Sequence, residues 1–152
     1  MRKFLVLALA ALTVLAVPAA LAATRYEAKL TGGAERPKSS SKATGEAVLR
    51  VASNNKSISY RIEAKGLSGA VQPAHIHFGK PGEAGGVIVN ICPKPCSLPK
   101  SGKLTSKNFA KAPGVSSFAA AIRQLKKGNT YVNIHTKKFP AGEIRGQVRK
   151  HS

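Results

Sequence analysis

Aspartate and tryptophan are missing from this 152-residue sequence, and aromatic residues of any kind make up only 5% of it. All six acids are glutamates: Glu27, Glu35, Glu46, Glu63, Glu83 and Glu143. The lack of aspartate argues against carboxylate-rich calcium loops, Asp-dependent triads and the usual paired-carboxylate glycosidases. Single-strand nucleic-acid readers interleave aromatics with basic residues, so the shortage of aromatics argues against nucleic acid as a partner. Serines and lysines are plentiful but gather in loop-like stretches with no partnered base, and no Ser-His-Asp or Cys-His arrangement can be assembled. Gly82, Gly85 and Gly86 do not precede a helical pattern, which excludes a phosphate-cradling loop.

The one long apolar run lies at the start. Arg2 and Lys3 are followed by an uncharged stretch from Phe4 to Val17 and then by Ala20-Leu21-Ala22. This is the three-part pattern of a secretory signal peptide, over residues 1–23. The run is shorter than the roughly 20 residues that a spanning helix needs, and nothing later is apolar enough, so no membrane span is expected. Residues 24–152 then form a single exported domain, destined for the periplasm or the medium.

Discounting Arg2 and Lys3 from the 25 lysines and arginines leaves 23 against six acids, a net charge of +17. Such an excess predicts long-range attraction to anions such as phospholipid head groups, acidic polysaccharide or stray nucleic acid, without naming a partner. The same charge also serves simply to solvate a surface. The two cysteines form Cys92-Pro-Lys-Pro-Cys96. In an oxidising compartment they are expected to pair, closing a loop worth about 2 kcal/mol in the chain-entropy model. Redox activity or soft-metal binding is the alternative for these sulfurs.

The mature sequence reads mainly as strands. Stretches 25–30, 46–51, 57–64, 74–78, 87–91, 131–136 and 143–150 are β-branched or alternate polar with apolar residues. Asn54-Asn55 marks a hairpin turn between the second and third. Residues 32–44 and 93–114 read as loop. One helix is expected over 116–127, where Phe118, Ala121, Ile122 and Leu125 recur at helical spacing before Gly128. The predicted fold is all-β: an antiparallel Greek-key β-sandwich or barrel of about seven to eight strands with one short helix.

Strand alternation sorts the chemistry onto faces. His75 and His77 point opposite to Ile76 and Phe78, and Tyr131, Asn133 and His135 point opposite to Val132 and Ile134. Glu143, Arg145 and Gln147 point away from Ile144 and Val148. If these strands are neighbours, His75, His77 and His135 converge on one outer face, with Asn133, Glu143 and Arg145 around them. Three neutral imidazoles suit copper, or zinc as the alternative, and binding should weaken as pH falls through about 6.5. The competing reading is that the histidines donate hydrogen bonds to a turn or a neighbouring strand. Glu143 and Arg145 are expected to form a surface ion pair or to bond the turn before them. His151 sits at the chain end, outside the pattern.

The run Ala74-His75-Ile76-His77 with Gly79, Pro81-Gly82 and Gly85 resembles the CHRD (chordin-type) domain family. Tyr131-Val132-Asn133-Ile134-His135-Thr136 and Pro140-Ala141-Gly142-Glu143-Ile144-Arg145-Gly146-Gln147 resemble that family's C-terminal signature, and Leu30-Thr31-Gly32-Gly33-Ala34-Glu35 matches its start more loosely. The resemblance implies an extracytoplasmic β-domain over the whole mature chain. His75, His77, Phe78-Gly79 and Arg145 bear a fainter, local likeness to copper-zinc superoxide dismutase, but further histidines, an aspartate and the framework disulfide are absent. The leading expectation is an exported metal-binding module that handles copper rather than turning over an organic substrate. A non-enzymatic module with an anionic envelope partner is second, and a copper enzyme of superoxide dismutase type is third.

Overall fold

The computed structural model describes residues 23–152, so the segment read as a signal peptide lies, apart from Ala23, outside the described residues. Nine strands follow one another as β1 (Thr24–Thr31), β2 (Thr44–Val51), β3 (Ile58–Lys65), β4 (Val71–Phe78), β5 (Val87–Cys92), β6 (Lys100–Leu104), β7 (Thr130–Thr136), β8 (Ile144–Gln147) and β9 (Arg149–Lys150). One helix, α1 (Phe118–Lys126), lies between β6 and β7. The strands form a single antiparallel sheet in the order β5-β4-β7-β8-β1-β2-β3-β6, with β9 paired to β1.

The sheet curls into a nearly closed barrel. Its two edges meet through the segment after β6, where Phe109 bridges Val89 and the Ala110 amide donates to the Ile88 carbonyl. Tyr60 Oη on β3 also donates to the Ile91 carbonyl of β5. Closure of this kind removes the exposed strand edges that invite aggregation. Leu30, Leu49, Ile62, Ile76, Ile134 and Ile144 fill the interior, each at an alternating inward position and fully buried. Helix α1 adds Phe118, Ala121, Ile122 and Leu125 to the same core. Ser117 caps it by accepting from the Ala120 amide, an interaction worth about 1 kcal/mol, and Gly128 ends it at φ 75°.

Two expectations need correction. The stretch 93–114 is not all loop, because Lys100–Leu104 adds to β3 as β6. Its Lys-Ser-Gly-Lys composition carries little strand propensity, and pairing with β3 alone recruits it. The expected last strand is split into β8 and β9, with the Val148 amide donating to the Thr130 carbonyl between them. Cys92 and Cys96 are joined as a disulfide, and both sulfur-bearing residues are buried beneath Pro93, Lys94 and Pro95.

Where β8 meets β1, a Cβ on Gly146 would stand 2.2 Å from the Lys29 carbonyl oxygen, whereas one on Gly69 would touch nothing within 4 Å. Gly146→Ala should therefore lower unfolding free energy in urea by about 1–3 kcal/mol. Gly69→Ala should stay within about 0.5 kcal/mol of wild type.

Candidate metal centre

Antiparallel pairing of β4, β7 and β8 lines up two rows of side chains. His75 faces Asn133, which faces Arg145; His77 faces Tyr131, which faces Gln147. His135 joins them two residues beyond Asn133, where the β4 pairing becomes irregular between Val71 and Ala74. Alternation puts all of these on the side of the sheet opposite Ile76, Val132, Ile134 and Ile144.

That outer side is not open to water. The loop after β4 folds back across it and is tied down at four points. His77 Nδ1 lies 2.9 Å from the Gly85 carbonyl oxygen, and Arg145 Nη2 donates to the Glu83 carbonyl at 2.9 Å. Gln147 Nε2 donates to the Gly79 carbonyl, and Tyr131 Oη accepts from the Gly85 amide. Only glycine fits at position 85, since a Cβ there would sit 1.7 Å from the Phe78 carbonyl oxygen. From the other flank, Glu35 reaches in and its Oε1 accepts from Asn133 Nδ2 at 2.6 Å. Tyr131, Asn133, Arg145 and Glu35 are consequently only 2–5% exposed.

The three imidazoles cluster with ring centroids 5.2 to 6.1 Å apart. Each offers one ring nitrogen, and these ligand atoms lie within 4.8 Å of one another. Two tautomers follow from simple chemistry. A carbonyl oxygen only accepts, so His77 Nδ1 and His135 Nδ1, each 2.9 Å from a carbonyl of Gly85 or Pro140, must carry the proton. That leaves a lone pair on Nε2 of both rings. His77 Nε2, His135 Nε2 and His75 Nδ1 are all buried without a hydrogen-bond partner. Orphaned buried polar atoms are uncommon and costly, and three ring nitrogens in one cluster, two of them acceptors, fit the donor set of a metal ion. The turn-holding role expected as the alternative accounts for one nitrogen of His77 and one of His135. It accounts for nothing at His75, which makes no side-chain hydrogen bond among the described residues.

The electrostatics keep the cluster neutral. Burial, then repulsion from His135 and His77, lowers the His75 pKa to about 4. His77 also falls to about 4, mainly through burial, with the Gly85 hydrogen bond opposing and His135 and Arg145 assisting. Burial lowers His135 as well, against the Pro140 bond. The expected loss of binding near pH 6.5 therefore moves to lower pH. Beside them, the His77 ring stacks on Tyr131 at 4.8 Å and 10°, and the Arg145 guanidinium carbon lies 3.5 Å from the Tyr131 ring centre.

Glu143 and Arg145 do not form the expected surface ion pair. Glu143 is fully buried on the Thr136 side of β7, where Ser41 Oγ, Ser68 Oγ, the Ser68 amide and Thr136 Oγ1 all donate to its carboxylate. Burial raises its pKa, but these four donors together outweigh burial and leave it lowered. It stands apart from the imidazoles and joins the 41, 68 and 136 segments at the end of the barrel. The acid that shares the field of Arg145 is Glu35. Burial raises Glu35 to about 7 against the pull of Arg145 and a hydrogen bond that its carboxylate accepts from the Arg36 backbone. Sequence patterning does not reveal Glu35, because it lies in a loop without periodicity.

A family model described as CHRD domain matches residues 26–148. No curated protein and no solved structure matches the chain.

In the metal-free protein, the His75 and His77 imidazole resonances should titrate near pH 4 rather than near 6.5, as read by NMR. Glu35 acts with the opposite sign. Its folded pKa is raised, so its contribution to stability is complete below about 4.5 and lost as pH rises through about 7. Glu35→Gln should gain stability relative to wild type over that window, by up to about 3 kcal/mol, in urea unfolding at successive pH values.

Proposed function

The chain belongs to the CHRD domain family, and from that premise we propose that it is an exported metal-binding module whose ligands are His75, His77 and His135. The carrying observation is the trio of buried ring nitrogens without partners, His75 Nδ1, His77 Nε2 and His135 Nε2. Three neutral nitrogen donors without a carboxylate suit copper, with zinc as the alternative, and disfavour hard ions such as calcium or magnesium. The carbonyls of Gly85 and Pro140 act on His77 and His135 as orienting partners that fix the tautomer. Asn133 and Arg145 frame the cluster from the neighbouring strands.

Export is supported by the signal-like residues 1–23 and by a disulfide of the kind that an oxidising compartment sustains. The role we favour is copper handling or protection in the periplasm or beyond. A superoxide dismutase type of copper enzyme gains no support from Arg145, which is 3% exposed and engaged with Tyr131 and the Glu83 carbonyl rather than free to draw in an anion.

Purified protein should take up one equivalent of copper or zinc at pH 7, measured by titration against a competing chelator. His75→Ala, His77→Ala and His135→Ala should each weaken it by at least about 100-fold, while His151→Ala should leave it unchanged. Retention of metal at pH 5.5 is expected from the lowered imidazole pKa values. A triple variant that binds as tightly as wild type would sink the proposal.

A further inference from the structure

We infer that Asn133 is a fourth ligand of the histidine centre, through its Oδ1, and that Glu35 is the positioning residue that aims it. An oxygen in the set makes the site one for a divalent ion, Zn²⁺ or Cu²⁺, rather than for Cu⁺. This rests on the reading of His75, His77 and His135 as ligands and goes beyond it.

Six buried side-chain polar atoms lack a hydrogen-bond partner among the described residues, and four of them fall in this one cluster: the three imidazole nitrogens and Asn133 Oδ1. The strand register gives Asn133 its place. It is directly opposite His75 on β4, diagonal to His77, and two residues before His135 on its own strand. On one face of a sheet, Cβ atoms so related stand about 5 Å apart across the pair and about 7 Å apart along the strand or on the diagonal. No other residue of this face adjoins all three histidines. Tyr131 is four residues from His135, and Arg145 lies one strand further from β4.

The partners of the amide decide which of its atoms faces the cluster. Glu35 Oε1 accepts from Asn133 Nδ2 at 2.6 Å, and an ionised carboxylate can only accept. Glu35 follows β1, and β1 lies beyond β8 in the sheet, so Nδ2 is drawn toward that flank. Gly142 closes the space behind it: a Cβ there would stand 2.5 Å from Nδ2 and 2.7 Å from Glu35 Oε1. The two branches of a planar amide diverge, which leaves Oδ1 on the β4 side with His75. The other polar side chains of this face are committed to the cover loop. Arg145 Nη2 donates to the Glu83 carbonyl, Tyr131 Oη to the Gly85 carbonyl and Gln147 Nε2 to the Gly79 carbonyl. A carbonyl oxygen buried without a donor is costly, and a cation satisfies it as it satisfies the imidazole lone pairs.

An amide oxygen is a neutral, hard donor. Added to three imidazoles it suits Zn²⁺ or Cu²⁺, whereas Cu⁺ is selected by thiolate and thioether sulfur. The sulfurs of Cys92 and Cys96 are joined to each other and are not free to ligate.

The test titrates Zn²⁺, and Cu⁺ under anaerobic reducing conditions, against competing chelators at about pH 8, where Glu35 is ionised. Asn133→Leu, close in size but without the oxygen, should weaken Zn²⁺ binding at least about 10-fold and shift the Zn²⁺ to Cu⁺ preference by about the same factor. Glu35→Leu should move both in the same direction, and Glu35→Gln, which keeps an acceptor oxygen, should recover most of the loss. One readout needs no variant to fold: on adding Zn²⁺ to the wild type, the Asn133 Cγ resonance should shift together with the three imidazoles. An unchanged Zn²⁺ affinity in Asn133→Leu, equal losses for the two ions, or a Cγ that stays fixed while the imidazoles shift would overturn the inference and leave the three-histidine reading standing. A wild type that takes up neither ion would remove both.

Discussion

His75 opposite Asn133 and His77 opposite Tyr131 is a register, and the chemistry of the molecule hangs on it. A slip of one residue between β4 and β7 would turn both histidines into the core and Ile76 out of it. The register is held from both faces of the sheet. On the inner side Ile76, Val132 and Ile134 are buried among the barrel's other aliphatics. On the outer side the loop after β4 is pinned to His77, Tyr131, Arg145 and Gln147, one residue or two from each strand involved. Gly85 allows the loop to lie that close.

The cover loop converts a polar sheet face into a buried one, and that burial creates the electrostatic problem at the centre. Three imidazoles, a guanidinium, an amide and a carboxyl are withdrawn from water together. The protein keeps the imidazoles neutral, partly neutralises Glu35 near pH 7 and spreads Arg145 over the Tyr131 ring. All but four of the buried polar atoms in this cluster then find a partner. The exceptions are the three inward imidazole nitrogens and the Asn133 carbonyl oxygen beside them. A cation bound by those nitrogens would relieve the largest remaining deficit of hydrogen bonding in this region.

Most of the fold was legible because it rests on patterns that survive without neighbours: alternating strands, the helical spacing of Phe118 to Leu125, the stop at Gly128. The convergence of His75, His77 and His135 was legible too, since period-two alternation plus strand adjacency is enough to place them on one face. What was not legible depends on contacts distant in sequence. Lys100–Leu104 becomes a strand only because β3 offers an edge. Glu143 turns to Ser41, Ser68 and Thr136 because two loop segments and the end of β7 bring donors to it, and alternation alone puts it on the wrong side. Burial of the outer face comes from the loop at 79–86, whose glycines and proline advertise a turn but not its destination. Glu35 was missed for the same reason.

The central claim concerns which atoms hold the metal, and it is most directly tested by long-range proton–nitrogen NMR of the imidazoles on adding zinc. The account predicts metal-induced shifts at Nε2 of His77 and His135 and at Nδ1 of His75, with the Nδ1 protons of His77 and His135 retained. Shifts confined to His151, or none at those three nitrogens, would contradict it.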